Sequence, residues 1–391
     1  MNKKLIFLLL TCWAVISQAQ LSENAFASLL TCGPGDEFYT NFGHSAIRVC
    51  DTSAGLDVVY NYGTFDFNQP HFYWTFACGR LNYRLSRDSF DGFLFDYGYE
   101  GRSVWEQRLR LSHQEVCNLF VLLENNYLPE YRYYMYDFFR DNCATRPRDI
   151  IDNALCHREH FSTHDLTEKV TYRDKLYEAT EERLLWWRFG IDLVLGMRCD
   201  HRCNNMELMF SPLELMAQMD TVLVSDTQES LAEEAVQLLE ETRSPLAKSL
   251  SPTLCFWFLF TVVLCLTVIG WSKGWRLRWI DVTLYVATLL VMILIAFLWF
   301  FSSHYCTKAN LNILWASPLF LYFLIRWEKS NHWIILAQLI MLTGVVVMTL
   351  LKFPQRFNVA IVPICFTLML RLITLLRRQA MSKFHDKIET K

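Results

Sequence analysis

The chain has 391 residues, 52% hydrophobic and 15% aromatic, with 37 basic against 40 acidic side chains and a formal net charge of −3. So balanced a charge, with no basic patch interleaved with aromatics, excludes a nucleic-acid binder. A final third made of long apolar runs excludes an all-soluble protein.

Taken in order, "MNKKLIFLLLTCWAVISQAQ" gives a short basic start, then an apolar run too short to span a bilayer comfortably. Small residues at Ser17 and Ala19 precede Gln20, so 1–19 reads as a signal peptide and the chain from Gln20 onward as exported. Residues 20–215 read as one exported α+β domain, strands with inserted helices. "AFASLLTC" is strand-like and ends at the turn Gly33-Pro34-Gly35. "FGHSAIRVCD" is extended, with Ala46, Arg48 and Cys50 on one face and Ile47 and Val49 on the other. "LDVVYNYG" reads as its hairpin partner. A short helix at 70–78, a strand at 79–87, a helix at 88–98 and the strand "RSVWEQRLRLS" come next. Ser112 and Glu115 form a capping box that starts a helix of about a dozen residues. Residues 216–251, with the acidic "ESLAEEAVQLLEETR", read as a helical linker.

From Pro252 the chain becomes an all-α membrane domain, 252–376, of about five spans at 252–271, 281–301, 310–326, 332–351 and 357–376. Residues 377–391 form a tail rich in Lys and Arg. The basic residues of the first and third loops and of the tail put that side in the cytoplasm. The exported domain then lies on the opposite side, as the signal peptide requires. Arg371 lies near the cytoplasmic end of the last span, where it is expected to snorkel.

The exported part has eight cysteines: Cys32, Cys50, Cys78, Cys117, Cys143, Cys156, Cys199 and Cys203. An oxidising compartment permits disulfides. Cys199 and Cys203, in "MRCDHRCNN", are spaced to bridge, to stay as two thiols, or to join a metal site with His201. The bridge is the expectation, with Cys143 left free. Cys143 itself lies in "DFFRDNCATRPRDII", where a strand and its turn hand over to a helix that tolerates Pro147 in its first turn. A helix N-terminus with Arg146 and Arg148 nearby favours the reactive thiolate. The plain alternative is a disulfide half, with Cys156 or Cys117, or a small packing residue. The base that a nucleophilic Cys143 needs is most simply His44, which comes just after a glycine at the head of a strand.

A histidine leading a strand, with Asn-Cys opening a helix some hundred residues later, resembles the permuted papain-like superfamily of NlpC-like and lecithin:retinol acyltransferase-like thiol proteins. "LLTCGPGDEFYTNFGHSAIRV", "YNYGTFDF", "YDFFRDNCATRPRDII" and "DLVLGMRCDHRCNNMELMFSP", with a bundle of spans after them, together resemble the Lnb-type bacterial lipoprotein N-acyltransferase family. The resemblance implies transfer of a fatty acyl chain from a phospholipid to the α-amine of the lipidated N-terminal cysteine of a lipoprotein, with Cys143 as acyl carrier and His44 as base. It implies no cofactor and a multi-pass inner-membrane protein whose catalytic domain is periplasmic. Asn142 is a candidate oxyanion donor or an N-cap. Asn61 and Asp66 are alternatives for orienting the histidine. Arg48, Arg146 and His304 are candidates for lipid head-group contacts, His304 together with Asn310 and Asn312 in the loop "SSHYCTKANLN". A cysteine hydrolase acting on cell-wall peptides and a non-catalytic envelope-binding module are the competing readings.

Overall fold

A computed structural model of the protein describes residues 21–37, 39–155, 169–180, 184–222, 229–243 and 249–389. The expected signal peptide and Cys156 lie outside the described residues. The chain divides into two compact units, one of Met1–Gln69, Asn82–Leu166 and Asn204–Ser244, the other of Pro70–Leu81, Thr167–Cys203 and Pro245–Lys391. The exported part therefore does not fold as the single block 20–215: residues 70–81 and 167–203 belong with the membrane helices.

The first unit is built on a seven-stranded sheet. Its strands are β1 (Phe26–Cys32), β2 (His44–Asp51), β3 (Leu56–Thr64), β4 (Asn82–Ser89), β5 (Val104–Arg108), β6 (Tyr133–Met135) and β7 (Val236–Leu239). They lie in the order β6-β4-β3-β2-β1-β5-β7, each antiparallel to its neighbour. Helices α1 (Phe72–Ala77), α2 (Phe90–Tyr99), α3 (His113–Tyr127) and α4 (Thr145–Ala154) come between and after the strands, α1 falling in the second unit. Alternation along β2 sets two faces. Ala46 packs with Leu30, Val59, Phe93 and Val104, while Ile47 and Val49 are buried on the other side. The Ser112–Glu115 capping box is present at the start of α3.

The expected helix through 229–243 is not there. This stretch is extended, bridges Ala232 to Leu109, and adds β7 to the outer edge of β5. Leu238 and Leu239, like Phe90, Leu94 and Tyr97, pack against the core of Leu30, Ala46, Val59, Phe93 and Val104. An open sheet edge offers a row of unpaired backbone groups. Satisfying that row outweighs the helix propensity of Glu, Ala, Leu and Gln, each worth a few tenths of a kcal/mol. Within the expected helical linker 216–251, the described residues form the end of a short helix and an edge strand instead.

Next in the chain are α5 (Tyr172–Thr180), α6 (Leu185–Val194), α7 (Asn205–Leu208) and α8 (Pro212–Met219), the last two in the first unit. In the second unit Arg173, fully buried, joins Asp192 (2.6 Å) to Asp200 (2.7 Å). Asp192 also accepts from Tyr177 Oη (2.7 Å) and Asn358 Nδ2 (2.8 Å). A buried charge must be paired in this way to be tolerated. The acidic residues of "DLVLGMRCD" thus brace the fold. Cys199 is a free buried thiol, so the expected Cys199–Cys203 bridge is absent.

The membrane part continues with α9 (Pro252–Lys273), α10 (Arg278–Phe300), α11 (Leu319–Arg326), α12 (His332–Leu351) and α13 (Ile361–Glu389). Among the described residues, four segments are long and apolar enough to cross a membrane: Pro252–Lys273, Arg278–Phe300, Tyr305–Lys329 and His332–Leu351. The third is α-helical only over Leu319–Arg326 and otherwise carries 3-10 turns at Tyr305–Thr307 and Leu311–Leu314. Irregular backbone at that depth survives only when its polar groups are met inside the protein. Gln355 Oε1 accepts from Leu311 N (2.9 Å) and Asn310 Oδ1 from Asn312 N (3.0 Å), while the fully buried Asn312 and Asn310 themselves donate to Asp192 O (2.9 Å) and Leu193 O (2.8 Å). These two asparagines are not at a head-group surface. The expected tail is also helical, since α13 runs on to Glu389. Arg371 does not snorkel: it is buried, with Nε on Asp281 (2.5 Å) and Nη1 on Thr267 Oγ1 (2.8 Å).

Candidate active site

Two glycines with left-handed backbones shape the site. Gly43 (φ 79°) precedes His44, and a Cβ there would meet Cys32 O at 2.6 Å. Only glycine turns the chain so tightly into β2. Gly63 (φ 91°) sits at a register shift between Asn61 and Thr64 in the β3–β4 pairing. A Cβ on Gly63 would come 3.2 Å from Cys143 Cβ. The bulge therefore brings β3 backbone directly against the cysteine.

Cys143 is a free thiol in the turn before α4, two residues ahead of its first helical residue. That turn is built by its neighbours. Asp137 Oδ1 accepts from the N–H groups of Phe139 and Arg140, both at 3.0 Å. Asn142 Oδ1 accepts from Ala144 N (2.8 Å) and Thr145 N (2.9 Å). The Asn142 amide donates to Phe138 O (2.7 Å) and Phe210 O (2.9 Å). With acceptor and both donor hydrogens engaged, Asn142 has the capping role and no hydrogen left for an oxyanion.

His44 opens β2, and the backbone N–H of the next residue, Ser45, lies near enough to the Cys143 sulfur to favour its thiolate. His44 Nε2 lies 3.2 Å from Asn61 Oδ1, and Asn61 Nδ2 donates to Asp88 Oδ2 at 3.3 Å. The carboxylate only accepts, so it fixes the amide with Oδ1 toward the imidazole. His44 is then the Nε2–H tautomer, with Nδ1 as its basic nitrogen. Of the two alternatives for orienting the histidine, Asn61 makes the contact. Asp66 is exposed and caps its own turn, accepting from Asn68 N at 2.8 Å.

Burial pushes the Cys143 thiol up to about 11, opposed by the Ser45 N–H, its own N–H and the Arg102 charge. Burial also holds the His44 imidazolium down to about 4, with Arg102 adding repulsion and Asn61 opposing. The resting pair is therefore neutral thiol and neutral imidazole, not the thiolate that the helix-terminus argument predicts. Two causes explain the difference: Cys143 precedes the helix, and desolvation dominates.

The expected cationic contacts are committed elsewhere. Arg48 pairs with Asp57 (2.7 Å) and Glu106 (2.9 Å) and lies 3.4 Å over the Phe90 ring. Arg146 pairs with Asp141 (2.5 Å) and stacks on Tyr134 at 3.6 Å. His304 Nε2 donates to Phe76 O at 2.9 Å. Three contributors escape sequence reasoning: Asp88, Tyr97 and Arg102. Tyr97 is near-parallel to His44 at 6.3 Å between ring centroids, and Arg102 stacks on Tyr97 at 4.6 Å. Arg102 is only 3% exposed; its Nε donates to Gly33 O (2.9 Å) and Nη1 to Glu100 (3.0 Å), while Nη2 has no partner among the described residues. The guanidinium charge is paired with Glu100, but one buried donor arm is left over, and the charge acts on both the thiol and the imidazole. "YEGRSVW" carries no local signal of it.

A free cysteine thiol and a histidine under the charge of one buried arginine, on a sheet unit in one chain with several apolar helices, define a membrane-embedded protein with a candidate thiol site. Residues 15–179 match the model of the Lnb N-terminal periplasmic domain, and residues 244–382 that of the Lnb transmembrane domain. The chain belongs to the Lnb family, with a periplasmic N-terminal domain and a helical membrane domain. No curated protein and no solved structure matches it.

Proposed function

We propose that this protein is a lipoprotein N-acyltransferase of the inner membrane, using phospholipid as acyl donor and the N-terminal α-amine of a diacylated lipoprotein as acceptor. The observation that carries the reading is the free Cys143 thiol and the His44 ring, both under the charge of Arg102, with the His44 tautomer fixed by Asn61 and Asp88, in a chain of the Lnb family. His44 Nδ1 takes the thiol proton as sulfur attacks the ester carbonyl of the phospholipid. The C–O bond breaks, and the imidazolium returns its proton to the departing lysophospholipid oxygen, leaving a Cys143 thioester. The lipoprotein amine then attacks the thioester; His44 accepts the amine proton and passes it to the sulfur as the C–S bond breaks. The backbone N–H of Cys143 serves as an oxyanion donor in both steps. The family's sheet domain is read here as a permuted papain-like thiol fold.

Purified protein in liposomes with phospholipid and a diacylated lipoprotein is expected to raise the lipoprotein's mass by one acyl chain. Release of free fatty acid alone would transfer the assignment to a hydrolase.

The topology reading takes α13 as a fifth crossing. Reporter fusions at Lys391 and within 302–309 are then expected on opposite sides of the membrane, the loop outside. Both on one side would remove the five-span arrangement. A third expectation concerns Arg102. Its charge helps hold His44 below the ordinary 6.5, near 4. Arg102→Gln should therefore move the acid limb of the pH profile of acyl-enzyme formation upward toward 6.5. An unmoved limb would relegate Arg102 to holding Gly33 and Glu100.

A further inference from the structure

The residues "HFYWTFACG", 71–79, leave the sheet between β3 and β4 and return to it, with Gln69 Nε2 closing the neck on Asn82 O at 3.1 Å. They form α1, none of whose residues is buried. Tyr73 is 80% exposed and Trp74 is 62% exposed. A six-residue helix so rich in bare aromatic surface is unstable alone. It is fastened to the C-terminal end of α10 instead. Trp74 packs on Phe297 at 5.3 Å, Ser303 N donates to Cys78 O at 2.8 Å, and His304 holds Phe76 O. Gly79 (φ 66°) permits the approach, since a Cβ there would stand 3.0 Å from His304 N.

We infer that α1 is an interfacial helix whose uncovered aromatic face is seated in the phospholipid layer where α10 leaves the membrane. Phe300 and Phe301, at the end of α10, are 66% and 68% exposed and continue the same aromatic surface. Aromatic side chains at the end of a span lie at head-group depth, where the Tyr hydroxyl and Trp N–H stay wet while the rings are sheltered. Lipid is the one cover that is continuous with the apolar sides of α10. His304, which sequence reasoning gives to a head group, serves to clamp the helix that meets lipid. The inference rests on the membrane spans and not on the chemistry of Cys143.

The test uses full-length protein in proteoliposomes of phosphatidylethanolamine and phosphatidylglycerol carrying a radiolabelled tail. Tyr73→p-benzoylphenylalanine is irradiated beside the same replacement at Phe301 as a lipid-facing reference, and at exposed Ala54 in the β2–β3 turn. Positions 73 and 301 are expected to capture labelled lipid, about tenfold above position 54. Should position 73 fail to fold or insert, Trp74→p-benzoylphenylalanine makes the same measurement. Label at 301 with none at 73 or 74 overturns the inference, as does equal label at 54. Capture of peptides from this same chain overturns it too, since the face would then be covered by protein.

Discussion

Cys143→Ala is expected to lower lipoprotein N-acylation by at least about 10⁴-fold, because removing a nucleophile removes the covalent route and leaves only binding and any oxyanion donor. Stability should fall by about 1 kcal/mol or less, the loss of one partly buried thiol. Wild-type protein incubated with labelled phospholipid and no acceptor should hold label that neutral hydroxylamine releases, as a thioester does. The alanine protein should hold none. Cys143→Ser should be nearly as inactive. In a site where burial already lifts a thiol to about 11, a hydroxyl starting several units higher is beyond the reach of this imidazole. Full N-acylation by a well-inserted Cys143→Ala protein would falsify the thioester route.

His44→Ala should cost roughly 10²–10⁴-fold in acyl-enzyme formation, the usual worth of a positioned base. Asn61→Ala should cost less and act differently: the thiol and imidazole remain, but nothing selects the Nε2–H tautomer. The wild-type rate of acyl-enzyme formation should stay flat through the ordinary imidazole range, since the resting pair is neutral from about 4 to about 11. A separate signature lies in stability. The folded imidazole titrates near 4 and the unfolded one near 6.5. Between those values the unfolded chain takes up a proton that the folded one refuses, so stability falls as pH falls through this window. His44→Gln should flatten that slope. An unchanged denaturation midpoint against pH would mean that the ring is solvated and not held neutral.

Much of the sheet was legible because β2 and β5 alternate and turns such as Gly33-Pro34-Gly35 carry their glycine. The capping box at Ser112 likewise announces α3 on its own. Cys143 and His44 stand out as candidates for a different reason: both lie at chain reversals marked by small or polar neighbours, and their order resembles a known family. The features that escaped depend on contacts far apart in the chain. Glu229–Arg243 reads as helix until the bare edge of β5 is seen. Arg48 and Arg146 look like free cations until Asp57, Glu106 and Asp141 are placed beside them. Arg102 is silent in sequence because its role is a charge at a distance, and distance is what a linear pattern lacks. The neutral state of the thiol–imidazole pair was hidden for the same reason, being set by burial.

The Asp281–Arg371 pair bears on how the membrane unit is made. Its partners are 90 residues apart, one in the first turn of α10 and one deep in α13. At a synthesis rate of about 5–20 residues per second, Asp281 waits roughly 5–20 seconds before its counter-ion exists. A lone carboxylate in hydrocarbon costs several kcal/mol, whereas at the first turn of α10 it can remain among lipid head groups until the last helix arrives. Final seating of α10 is thereby coupled to completion of the chain, and a polypeptide truncated before Arg371 would hold Asp281 exposed as a mark of unfinished assembly.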